Sequence, residues 1–318
     1  MKHVDENVLL VCSGGGHLRQ LHGFAERIGY PKDKQLWVTF RNALSESLLS
    51  DRQVVYAPFT GPRDLRNFVK LVSLAGRVFA DYRISEVIST GSSPAVAFLP
   101  RAAARGIPAH YIESAARADS PSLSGKLVSR DKRIQTYCQY PSWSDDRWAF
   151  RGSIFDEFVA GDVREAAPPP RRAVVSVGTQ EGYPFRRLFE AVAPLLAGYD
   201  EVLYQTGDCD VSDLGIDGRP SISHADLRTA VASADVVITH AGVGAALTAL
   251  EQSKHPILIP RSVRYGEHVD DHQQQVAREL ERRELATVRT PDQLTAEDLI
   301  SASARSAITV VPPPLRLG

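Results

Sequence analysis

The sequence has no dominant sign of charge: 37 Lys+Arg stand against 38 Asp+Glu in 318 residues, a formal net charge of −1. No basic excess therefore points to nucleic acid as a partner. Cysteine is scarce: Cys12, Cys138 and Cys209 are odd in number, far apart and form no CxxC pair. That argues against a disulfide framework or a zinc site and fits a reducing cytosol. No run of about 18 apolar residues occurs, so no spanning helix is expected. Met1 to Leu10 holds Lys2, Asp5 and Glu6 and runs directly into a strand, unlike a signal peptide. There is no short-period repeat.

Apolar residues make up 43% and charged residues 24%, which argues against disorder. At about 150 residues per domain, the length suggests two domains. Short apolar runs alternate with helical patterns. Strands are expected at Asn7–Cys12, Gln35–Phe40, Val54–Ala57, Glu86–Ser89 and Ala109–Ile112, with helices over Leu18–Ile28, Asp64–Arg83 and up to Arg105. The Pro-rich stretch Ala166–Arg172 reads as a linker. Strands then resume at Ala173–Val177, Glu201–Gln205, Asp235–Thr239 and Pro256–Pro260, with helices over Phe185–Leu196, Asp226–Ser233, Gly242–Ser253 and Val269–Arg283. The pattern is α/β. It predicts two doubly wound, Rossmann-like domains, 1–165 and 173–318, with ligands at the carboxyl ends of the strands and between the domains.

Two glycine-bearing loops mark the first half. Ser13-Gly14-Gly15-Gly16-His17 follows a strand and opens a helix, where backbone N–H groups can approach a phosphate. It is not a dinucleotide fingerprint, since no glycine follows three residues on and Phe40 leads into Arg41 rather than an acid. Nor does a Gly-Lys-Ser/Thr follow, so it is not a P-loop. Thr90-Gly91-Ser92 ends a neighbouring strand, and the two loops together suit a diphosphate. In the second half, Gly242, Val243 and Gly244 open a helix after His240, and Glu251 lies further along it. Glycines there suit a diphosphate, and a carboxylate suits ribose hydroxyls. Asp270, Asp271, His272 and Gln273 form a polar entry to the next helix suited to sugar hydroxyls, and their spacing matches no standard metal site. Arg261 and Arg264 flank that region, and a guanidinium there could pair with a sugar carboxylate.

These motifs resemble a known family. The second half is similar to the nucleotide-sugar-binding domain of family-28-type glycosyltransferases of GT-B fold, through Val177-Gly178-Thr179-Gln180, Thr239-His240-Ala241-Gly242-Val243-Gly244, Glu251 and Asp271-His272-Gln273. The first half resembles the membrane-recruiting subunit of the two-subunit enzyme that extends dolichol-diphosphate-GlcNAc. It does so through Ser13–His17, Ser89-Thr90-Gly91, Tyr111–Arg117 and Ser122–Lys126. The resemblance implies a single-chain fusion of the two subunits, of exopolysaccharide or capsule type. It implies a UDP-sugar donor held by Gly178, Thr179, Gln180, His240, Gly242, Val243, Gly244, Glu251, Arg261, Asp271, His272 and Gln273. It also implies a polyprenyl-diphosphate-linked acceptor held by Ser13, Gly14, Gly15, Gly16, Thr90, Gly91 and Ser92.

Inverting transfer needs a base for the acceptor hydroxyl; His17 is the first candidate and Glu113 the second. No cofactor or metal is expected. The N-terminal membrane helix of the eukaryotic subunit has no counterpart here, so contact with the inner face of the plasma membrane is expected to be peripheral. Leu65, Phe68, Val69, Val72, Ala75, Phe79 and Tyr82 form an apolar stripe flanked by Arg63, Arg66, Lys70, Arg77 and Arg83, which suits either an anionic lipid interface or packing on the sheet, or both with Leu71, Leu74 and Val78 on a second apolar side. Two other readings share the architecture or the motifs: a nonhydrolysing UDP-GlcNAc 2-epimerase, and a non-catalytic nucleotide-sugar-binding enhancer subunit.

Overall fold

The structure, a computed structural model, describes residues 6–61, 64–165, 168–178 and 182–318. It divides into two compact units. The first runs to Ile154 and takes back Pro312–Gly318; the second is Phe155–Val311. The chain thus passes to the second unit before the Pro-rich stretch, not within it. The reason is a two-stranded antiparallel ribbon in which Phe158–Ala160 pairs with Ala307–Thr309. The Pro run is itself anchored in that unit, because the N–H groups of Arg171 and Arg172 both donate to Asp235 Oδ2 at 2.9 Å.

In the first unit the strands are β1 (Asn7–Cys12), β2 (Gln35–Phe40), β3 (Gln53–Ala57), β4 (Ile84–Gly91), β5 (Ala109–Ile112), β6 (Ile134–Cys138) and β7 (Trp148–Phe150). They form one parallel sheet in the order β3-β2-β1-β4-β5-β6-β7. Helices α1 (Gly16–Ile28), α2 (Ala43–Leu48), α3 (Leu65–Asp81), α4 (Ser93–Ala104) and α5 (Leu123–Val128) connect them. Covering both sheet faces explains why Leu9, Leu10, Val11, Leu36, Trp37 and Val38 are fully buried and why these strands read as unbroken apolar runs. Helix α1 buries Leu18, Leu21, Phe24 and Ala25, and Gly29, at φ 85°, ends it. Strand β4 extends past the expected Ser89 to Gly91, because β1 stays paired with it there, Cys12 opposite Gly91.

Helix α3 packs much of its apolar stripe on the sheet. Asp64 caps it by accepting from Asn67 N–H at 3.1 Å. Leu71, Leu74, Ala75 and Val78 enter the core, and Phe68, Val72, Phe79 and Tyr82 pack partly against it. Of the stripe, Leu65 and Val69 remain exposed, beside exposed Arg66 and Lys70. Arg63 lies outside the described residues. Among the described residues, no helix is long and apolar enough to cross a membrane.

The second unit holds β8 (Phe158–Ala160), β9 (Arg172–Ser176), β10 (Glu201–Gln205), β11 (Gly218–Arg219), β12 (Val236–His240), β13 (Ile257–Ile259), β14 (Thr287–Val288) and β15 (Ala307–Thr309). Its parallel sheet has the order β11-β10-β9-β12-β13-β14. The helices are α6 (Arg186–Leu196), α7 (His224–Ser233), α8 (Val243–Leu250), α9 (His272–Arg282) and α10 (Ala296–Ser303). Phe185, Leu188, Phe189, Val192 and Leu196 bury one face of α6 against β9, β12 and β13. Helix α9 begins at His272 rather than at Val269, so residues 269–271 form a turn before it.

Candidate functional sites in the two units

In each sheet the strand order reverses beside a central pair, β1/β4 and β9/β12. The loops leaving those strands depart to opposite faces and open a crevice at the carboxyl edge.

In the first unit this edge brings Ser13, Gly14, Gly15, Gly16 and His17 together with Thr90, Gly91 and Ser92. Ser13 N–H donates to Gly91 O at 2.9 Å. His17 Nδ1 lies 2.6 Å from Thr90 O, and Thr90 Oγ1 donates back to His17 O at 2.8 Å. A ring nitrogen facing a carbonyl oxygen must carry the hydrogen, so Nε2 is the basic nitrogen of the half-buried ring. Gly14 is required by close approach, because a Cβ there would lie 2.5 Å from Asn42 Nδ2, on the residue that caps α2. Gly91, at φ 106°, passes so near His17 that a Cβ would lie 3.1 Å from the ring. Gly15 takes φ 64° at the N-cap of α1, and the Gly91–Ser92 peptide is cis.

Glu113 does not face this edge as a base. It is fully buried, and its carboxylate accepts from Tyr111 Oη, Ser114 N, Ser122 N and Ser122 Oγ at 3.2, 2.9, 2.8 and 3.0 Å. Burial pushes its pKa up, while those donors favour the charged form. A carboxylate so enclosed anchors the segment leading to α5. Gly125 is part of this anchor, since a Cβ there would collide with Glu113 Oε2.

Sequence reasoning missed Gln20 and Gln139. Buried Gln20 accepts from Ala115 N at 2.7 Å and from Gln139 Nε2 at 2.8 Å, and donates to Gly16 O at 3.0 Å. Gln139 also donates to Glu113 O at 2.8 Å and accepts from Ile154 N at 2.9 Å. The only signal was a glutamine between Leu18 and Leu21 on the core side of α1.

In the second unit the edge carries Val177 and Gly178 after β9, His240 at the end of β12 with Ala241 to Gly244 after it, and Arg261 after β13. Thr179 and Gln180 lie outside the described residues. Thr239 Oγ1 donates to Ser176 O at 2.7 Å, locking β12 to β9. The His240 ring fills the space between the two loops: a Cβ on Gly178 would lie 2.9 Å from it, and one on Gly242 2.4 Å. Both glycines are therefore steric requirements of His240. Gly242 caps α8 without a side chain, Val243 is its first residue and Gly244 lies in its first turn, so the helix N-terminus opens toward this edge.

Three expected donor residues sit differently. Glu251 is exposed at the C-cap of α8, about 10 Å along the helix from Gly244 by helical rise, so it does not join the glycines. Buried Thr248 lies a turn nearer, its hydroxyl donating to Gly244 O at 2.9 Å. Arg261 is 2% exposed and donates to the carbonyls of Val177 at 2.7 Å, Glu267 at 3.2 Å and Tyr183. It ties three loops together and does not present its guanidinium to a sugar carboxylate. Gln273 is buried, and its Oε1 accepts from Arg261 N at 3.1 Å. Asp271 is exposed and accepts from Val263 N at 3.2 Å, while His272 Nδ1 contacts Asp270 Oδ1. Glu267, also unforeseen, is buried and held by Arg187 at 2.8 and 3.0 Å. Arg264 is exposed, 5.6 Å from the Tyr265 ring.

Burial holds three histidines of this unit neutral. His240, also near the Arg261 charge, is pushed down to about 3, and His255 and His268 to about 4. The unfolded chain takes up these protons first, near pH 6.5. Stability of the second unit is thus fully present above about 6.5 and should fall as the pH drops toward 4. Denaturant midpoints across that range should show this, and His240→Gln should flatten the dependence. Gly242→Ala should cost about 1–3 kcal/mol through overpacking against His240, read as a lowered denaturant midpoint.

Comparison with known proteins fits this arrangement. No curated protein matches the chain in sequence. The structure is similar to that of MurG from Acinetobacter baumannii, with 20% identity, a TM-score of 0.61, and coverage of 92% of this chain and 88% of that one. It is similar to the glycosyltransferase SnogD from Streptomyces nogalater, with 18% identity, a TM-score of 0.58, and coverage of 93% and 90%. It is also similar to UDP-GlcNAc 2-epimerase from Methanocaldococcus jannaschii, with 9% identity, a TM-score of 0.60, and coverage of 93% and 91%. At these identities the likeness shows the fold. Residues 172–304 match the model described as the glycosyltransferase family 28 C-terminal domain, in a chain whose two Rossmann-like units match the GT-B fold.

Proposed function

We propose that this protein is an inverting glycosyltransferase that moves a sugar from a UDP-sugar to a hydroxyl of a polyprenyl-diphosphate-linked saccharide, in surface polysaccharide synthesis. The observation that carries the reading is the family-28 match over the unit whose carboxyl edge offers the glycine-opened N-terminus of α8. That N-terminus would stabilise the departing diphosphate. Gly178, His240, Gly242, Val243 and Gly244 line the donor side, and His272 lies at the sugar end. A hexose, N-acetylhexosamine or hexuronate donor fits. With Arg261 engaged by carbonyls, a uronate preference would rest on Arg264.

The first unit would take the acceptor, with Ser13–Gly16 and Thr90–Ser92 at its diphosphate. His17 is the proposed base: the Thr90 carbonyl fixes the tautomer with its hydrogen on Nδ1, so the basic lone pair is on Nε2. The exposed Leu65, Val69, Arg66 and Lys70 of α3 would touch an anionic membrane surface, placing the protein peripherally at the inner face.

Purified protein in detergent, given UDP-glucuronate, UDP-GlcNAc, UDP-glucose or UDP-galactose, should release UDP with one donor only when a short polyprenyl-diphosphate-linked monosaccharide is present. Acceptor-independent conversion of UDP-GlcNAc would replace this reading by epimerisation. UDP binding with no turnover of any pair would replace it by a binding role. His17→Ala should lower the transfer rate by about 10²–10⁴-fold while UDP affinity stays as in the unaltered chain; unchanged transfer would remove His17 as the base.

A further inference from the structure

Gln20 lies three residues after His17 on α1 and turns into the core at 1% exposure. Its amide uses all of its hydrogen-bonding capacity. Oε1 accepts from Ala115 N at 2.7 Å and from Gln139 Nε2 at 2.8 Å. Nε2 donates to Gly16 O at 3.0 Å and to Ser114 Oγ at 3.2 Å. Turned over, the amide would set N–H against N–H and oxygen against the Gly16 carbonyl, so its orientation is fixed. We propose that Gln20 is the positioning residue for His17: it ties the turn that carries the imidazole to the segment after β5, and so sets the direction of the ring's basic nitrogen. The inference rests on the reading of His17 as the base.

Three ties converge on His17. The carbonyl before it, that of Gly16, accepts from Gln20 Nε2. Its own carbonyl accepts from Thr90 Oγ1 at 2.8 Å, and its ring Nδ1 lies 2.6 Å from Thr90 O. The last two ties both come from the end of β4. Gln20 supplies an independent one, since Ser114 and Ala115 follow β5, which lies beyond β4 from β1 in the sheet.

The local sequence explains why an outside anchor is needed. Helix α1 starts from Gly14-Gly15-Gly16, and its N-cap, Gly15, has no side chain to cap it. Glycine backbone has the widest freedom of direction, and His17 is only the second helical residue. Gln20 shares the buried side of α1 with Leu18, Leu21 and Phe24, where an apolar residue would pack without a desolvation cost. The cost of an amide there is offset by bonds that end on the carbonyl before His17 and on the segment after β5.

Gln20→Met keeps the side-chain length and removes these bonds. Gln139→Met is the control: it removes the bonds to Gln20, Glu113 O and Ile154 N from the same network without touching Gly16. The full chain, labelled with ¹⁵N-histidine, is read by NMR for the tautomer of His17, its signals identified by their loss in His17→Ala. A single Nδ1–H form is expected in the unaltered chain and in Gln139→Met, and a mixture of tautomers in Gln20→Met. In the transfer assay, kcat of Gln20→Met should fall by about tenfold or more with the donor KM unchanged. The acid limb of its pH profile should move as well, because that limb reports the base. A His17 spectrum in Gln20→Met identical to that of the unaltered chain would overturn the proposal. So would equal changes in the two methionine variants, which mark a network that only holds the fold. If Gln20→Met does not fold, Gln20→Glu decides: it keeps an acceptor for Ala115 N and Gln139 Nε2 but sets an oxygen against Gly16 O, and an unchanged His17 spectrum overturns the proposal. Absence of transfer with every donor would remove the transferase reading and leave the tautomer measurement to decide on Gln20, so the two fail separately.

Discussion

Everything chemical in this protein depends on where two parallel sheets reverse their strand order. A loop leaving β1 and a loop leaving β4 depart to opposite faces, and so do those leaving β9 and β12. The crevice this creates cannot be filled by the connecting helices. Its walls are backbone, helix N-termini and the few side chains short enough to fit. Glycine is needed at Gly14, Gly91, Gly178 and Gly242 because a neighbouring Asn42, His17 or His240 occupies the space that a Cβ would take. The glycines and the side chains beside them are one steric unit.

Buried polar groups then hold those crevices in shape. In the first unit, Gln20, Gln139 and Glu113 link the start of α1 to the segment after β5 and to the end of the unit at Ile154. In the second, Arg261 gathers three carbonyls and Glu267 pairs with Arg187. Each is a charged or amide group taken out of water and repaid by several directed bonds, so removing one partner leaves the others unsatisfied. These clamps set loop geometry without needing to touch a ligand.

Much of this was legible in the sequence. The apolar runs of β1, β2, β9 and β12 and the glycine loops after them carried the α/β reading, because period and turn chemistry are local properties. The short edge strands β7, β11 and β14 were not read, since two or three residues carry no period. Glu251, Arg261 and Glu113 were assigned by residue type, yet burial and partners decide what a charged group does. Glu251 fell on the wrong side of that decision by being one helix length away, and the other two by being enclosed. The apolar stripe of α3 was legible only as a pair of readings, because a helix lying on a sheet and one lying on a lipid surface share the same amphipathic pattern.

The course of the chain has a consequence for dissecting it. Residues 312–318 return to the first unit, where Arg27 donates to Pro313 O at 2.8 Å and Gly318 N–H donates to Tyr137 Oη at 2.9 Å. The second unit is therefore topologically an insertion within the first. A cut in the Pro-rich stretch, the obvious place to separate two halves, would strand β8 away from its partner β15 and leave the tail on the wrong fragment. The second unit can be excised as one continuous piece from Phe155 to Val311, whereas the first requires its two ends to be rejoined.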